Sequence, residues 1–210
     1  MRLDPNRFEK LVITLIKDPP SGSFMGFICN IPRLIERGKS LYGDLRATQE
    51  LTREVMAAYL ALTSARHALK KLLDTRAAPR SFSRVRNLRD YAFILTLCSI
   101  YYCMLRGFKK VQNGPADEGN ELVKATLDLA KDVEDLSPLG SMYMLLPLFA
   151  VCLATEDAKA MALVKTAIWN LEKHYHRSVQ IDAMVQRMEE LRLDLHIHRD
   201  GSSIAGSDPS

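Results

Sequence analysis

The sequence predicts an all-α protein, an irregular bundle of about seven or eight helices around one buried central helix. Three observations carry that prediction. Apolar residues recur three or four apart in almost every patterned segment, which lines one face of a helix. No alternating run long enough for a half-buried strand survives inspection. One segment, Tyr91 to Gly107, is apolar on all sides, and a helix without a polar face must be enclosed by others.

The elements follow in order. The apolar run Leu11 to Ile16 is too short and too closely flanked by charge for a secretory signal. From Asp44 to Asp74, Leu45, Leu51, Val55, Tyr59, Leu62, Leu69 and Leu72 keep helical spacing. Glu50, Arg53, Glu54, Arg66, Lys70 and Lys71 occupy much of the rest, giving a long amphipathic helix with its charged residues on the polar face, and Asp44 after Gly43 suits an N-cap. Pro79 and Ser81 then mark a loop. The central helix follows from Tyr91, and its 15 uncharged residues to Leu105 fall short of the ~20 that a membrane span needs. "QNGPADEGN" is a turn.

Asp117 and Glu118 open an amphipathic helix running to Val133, where carboxylates suit the positive end of the helix dipole. Between Asp135 and Glu156 no charged residue occurs. Ser137, Pro138, Gly140, Ser141 and Pro147 interrupt that apolar stretch, which reads as a buried break and restart between helices rather than a span. Glu156 and Asp157 open the next helix, with Met161, Val164, Ile168 and Leu171 at helical spacing and the cations Lys173 to Arg177 at its far end. A last helix carries Ile181, Met184, Val185, Met188 and Leu191. The helices form a single domain over residues 1–196, and the small polar residues 197–210 form a disordered tail.

Composition sets bounds on function. The chain has 210 residues, of which 47% are hydrophobic and 26% charged, so it can bury a core without disulfides or metal. A net charge of +4 permits contact with nucleic acid without arguing for it. The four cysteines, Cys29, Cys98, Cys103 and Cys152, form no CxxC pair, and they read as reduced thiols of the core.

Catalytic signatures are missing: no nucleophile elbow, phosphate loop, dinucleotide turn or zinc-protease helix occurs. His174 with His176, and His196 with His198, are spaced two apart, which on a helix points the rings away from each other. Asp128 and Asp132 share a helix face, but no histidine follows at di-iron spacing, so a solvated acidic face is expected. Arg76, Arg80, Arg84, Arg86 and Arg89 read as a basic inter-helix loop meeting acidic neighbours in preference to a phosphate-binding surface. No catalytic, cofactor-binding or metal-binding residue is expected. The candidate site is an apolar effector pocket lined by Tyr101, Tyr102, Met104, Tyr143 and Phe149, weighed against plain core packing.

Two stretches carry a family resemblance. "GFICNIPRLIERGKSL", Gly26 to Leu41, and "SPLGSMYMLLPLFAVCLATEDAKAMALVKTAIWNL", from Ser137, resemble segments of the fungal-specific transcription factor domain. The second is similar to that family's best-marked stretch, where Pro-Leu-Phe (here Pro147, Leu148 and Phe149) precedes a turn of small residues, an acidic spot and a departing helix. "VQIDAMVQRMEELR" looks like the family's closing helix, and the likeness spans about residues 20–195. Val151 stands where a glycine is common, and the tryptophan that often ends the last helix is absent near Met188 to Leu191.

The resemblance implies the helical regulatory region of a fungal transcription regulator, acting in the nucleus through a protein partner or a small apolar effector, with a homodimer open to it. Four scattered cysteines cannot form the six-cysteine zinc cluster that such regulators use to bind DNA. No sequence-specific DNA binding is therefore expected, and the interrupted apolar stretches argue against membrane association. The alternative is a helical scaffold or adaptor, cytoplasmic and without a transcriptional role.

Overall fold

In the computed structural model, residues 23–40, 45–75, 82–108, 116–134 and 139–172 are described, together with Gln186. They form six helices: α1 (Ser23–Ser40), α2 (Leu45–Thr75), α3 (Phe82–Phe108), α4 (Ala116–Glu134), α5 (Leu139–Ala154) and α6 (Ala158–Glu172). No strand occurs among the described residues. The all-helical class is as expected, but the described helices are six, not seven or eight. The expected last helix, the tail, Asp44 and both His-x-His pairs lie outside the described residues.

The central helix is α3. It packs most extensively against α5 and then α2, and it also touches α4 and α1. Its length and composition would let Ser83–Gly107 cross a membrane, but 72% of its apolar window is buried inside the bundle. Its two interior hydroxyls are satisfied locally: Thr96 Oγ1 donates to the Ala92 carbonyl and Ser99 Oγ to that of Leu95, each at 2.9 Å. This back-bonding to the preceding turn lets polar residues enter a core without finding a partner on another helix.

Helix α3 starts at Phe82, well before the expected Tyr91, so three of the five arginines assigned to a loop lie in its first turns. The buried Asp90 carboxylate accounts for two of them, Arg86 and Arg89. Its Oδ1 accepts from Arg89 Nε at 3.1 Å and Nη2 at 2.9 Å, and Arg86 Nε lies 4.0 Å from Oδ2. The acidic neighbour expected for this basic segment is thus Asp90.

A second correction concerns Pro147. Instead of separating two helices it lies inside α5, as Pro32 lies inside α1. An interior proline costs about 3 kcal/mol by removing a backbone donor and crowding the preceding turn. Helix α5 offsets that cost by packing on α3, α4 and α6, with Met144, Leu148 and Val151 fully enclosed. Each large apolar side chain so buried contributes about 1.5–3 kcal/mol.

Contacts between successive helices show their directions. Tyr59 meets Tyr102 while Arg66 acts on Tyr91, so α2 and α3 run antiparallel. Gly119, near the start of α4, abuts the carbonyl of Ala154, the last residue of α5, so these two are antiparallel as well. A Cβ at Gly119 would sit 2.8 Å from the Ala154 carbonyl oxygen and 3.4 Å from Tyr102 Cε1. Only glycine permits that approach of helix to backbone.

Capping fixes the turn from α5 to α6. Asp157 Oδ1 accepts from the Lys159 amide at 2.9 Å, the bond expected of an N-cap aspartate, and its own carbonyl accepts from the Met161 amide at 2.9 Å. Arg106 closes the same corner: Nη1 donates to the Ala154 carbonyl at 3.2 Å and Nη2 pairs with Glu156. Its guanidinium also lies 5.9 Å from the centre of the Tyr102 ring, within cation–π range.

Candidate functional site

Four of the five expected pocket residues belong to one continuous core: Tyr101, Tyr102 and Met104 from α3 and Phe149 from α5. Tyr143, in the first half of α5, is half-buried. Adjacent on α3, Tyr101 and Tyr102 have different surroundings. Burial pushes the Tyr101 hydroxyl up to about 12, helped by the Glu54 carboxylate of α2. Tyr102 stands against Tyr59, Gly119 and Arg106, where α2, α4 and α5 converge. Its hydroxyl is raised by burial, while Arg106 pulls the other way.

That convergence contains a polar bridge between two helices. Helices α2 and α4 flank α3 with little direct backbone contact, and side chains bridge them. The Tyr59 hydroxyl donates to Glu118 Oε1. Arg66 Nη2 lies 4.0 Å from the same oxygen and 3.7 Å from Glu121 Oε2. Burial raises the Tyr59 hydroxyl far above its ordinary value, with the Glu118 carboxylate adding to the shift. Beneath the bridge lie Tyr91 and Cys98 of α3, both pushed up to about 12 by burial, with the Arg66 charge opposing in each case. The Cys98 thiol is therefore protonated and inert at neutral pH, as is Cys103, raised to about 11.

The placement of Arg66 corrects the sequence reading, which put it on the polar face of α2. Its relative exposure is 5%. A signal was present: Val55, Tyr59, Leu62, Arg66 and Leu69 follow one another at intervals of three or four, so Arg66 occupies a register position of the apolar stripe. Residue type outweighed register in the expectation. Leu73, not Leu72, is the buried leucine of the last turn. Glu118, expected to serve the helix dipole, is the carboxylate that meets both Tyr59 and Arg66.

Among the described residues no group of three or more His, Cys, Asp or Glu side chains could hold a metal ion. Asp128 and Asp132 are exposed on α4, with Lys131 Nζ 4.0 Å from Asp128 Oδ1. No family model, curated protein or solved structure matches the chain.

Proposed function

We propose that this chain is the regulatory helical domain of a fungal transcription regulator, non-enzymatic, acting in the nucleus by binding a partner protein or an effector. The family resemblance of the Pro147–Phe149 region suggests the transcriptional role. The observation that carries the regulatory part is the bridge between α2 and α4. Two helices on either side of a central one are related through Tyr59, Glu118 and Arg66, with little direct backbone packing. On this reading, the few polar side chains of the bridge are what a second arrangement of the bundle would exchange. An effector acts by binding one arrangement better than the other, and it shifts the balance only by that difference in affinity. Tyr101, Tyr102, Met104, Tyr143 and Phe149 are the residues proposed to sense it.

The test is transcription. The chain is fused to a heterologous DNA-binding module, and reporter output and nuclear localisation are measured against the module alone. Altered reporter output supports the reading, and an unchanged output sinks it. A scaffold or adaptor is the second reading, favoured by Leu146, Leu163 and Trp169, which α5 and α6 leave 48%, 59% and 49% exposed. That reading predicts a stable partner complex with no effect on the reporter.

A further inference from the structure

We draw no further inference here: the strongest candidate, the exposed apolar surface at Leu146 of α5 and Leu163 and Trp169 of α6, carries no docking proposal because nothing in the structure shows what covers it.

Discussion

The two flanks of the central helix are built on different principles. Toward α5, α3 meets an uncharged helix whose inner residues, Met144, Leu148 and Val151, are fully buried and whose proline is carried without a break. Toward α2 and α4, the same helix underlies a carboxylate, Glu118, that accepts from the Tyr59 hydroxyl and lies 4.0 Å from the Arg66 guanidinium. The first contact is close-packed and non-directional, so its energy scales with area removed from water. The second has apolar packing too, with Leu51, Val55 and Leu62 enclosed, but adds a polar bridge whose energy depends on whether each partner remains.

Substitutions break or sharpen that contrast. The largest effect belongs to the apolar side: Leu148→Ala leaves a cavity in a fully enclosed position and is expected to cost about 2–5 kcal/mol. Urea unfolding measures it, and a cost under about 1 kcal/mol would show that α5 is less tightly packed than described.

On the polar side, Glu118→Gln keeps an acceptor for the Tyr59 hydroxyl but removes the negative charge facing Arg66. An uncompensated buried guanidinium then makes the loss about 1–3 kcal/mol. Thermal denaturation of Glu118→Gln beside Glu121→Gln provides the check, because the exposed Glu121 is expected to matter far less.

Gly119→Ala tests the corner where the two sides meet. Replacing a helical glycine by alanine ordinarily stabilises by about 1 kcal/mol. Here the new Cβ falls 2.8 Å from a backbone oxygen that cannot swing aside. The expected net result is a loss of about 1–2 kcal/mol as α4 moves off α5. A gain in melting temperature would mean that the helices separate freely.

The smallest effect is expected for Arg66→Met, within about 1 kcal/mol of the parent and of either sign. Methionine reaches only as far as the arginine Nε, so the change removes a desolvation penalty along with the weak attraction and leaves the space of the guanidinium end empty. A double-mutant cycle with Glu118→Gln measures the coupling. A coupling near zero would show that the two groups act independently.

The helical segments were legible because their apolar spacing is local: Leu51, Val55, Tyr59 and Leu62 lie on one face whatever surrounds them. The central helix was legible because a segment with no polar face has only one stable environment. Pro147 and Arg66 depart from expectation for a shared reason. Proline breaks and arginine faces water in the average helix, but at these two positions the neighbouring helices decide. The packing of α5 on three helices keeps Pro147 inside a continuous helix. Helices α2, α3 and α4 enclose Arg66, with Glu118 and Glu121 supplying opposite charge.

The candidate residues divide along the same line. Tyr101, Tyr102, Met104 and Phe149 could be marked as core from their apolar context. The meeting of Tyr59 with Glu118, 59 positions apart in the chain, has no local trace. The sequence by itself determined the all-helical class, the central helix and the apolar stripes, because period and composition act within a few turns of chain. Only the tertiary structure decided which polar side chains left water and what they met, because that depends on helix order, direction and register over long sequence separations.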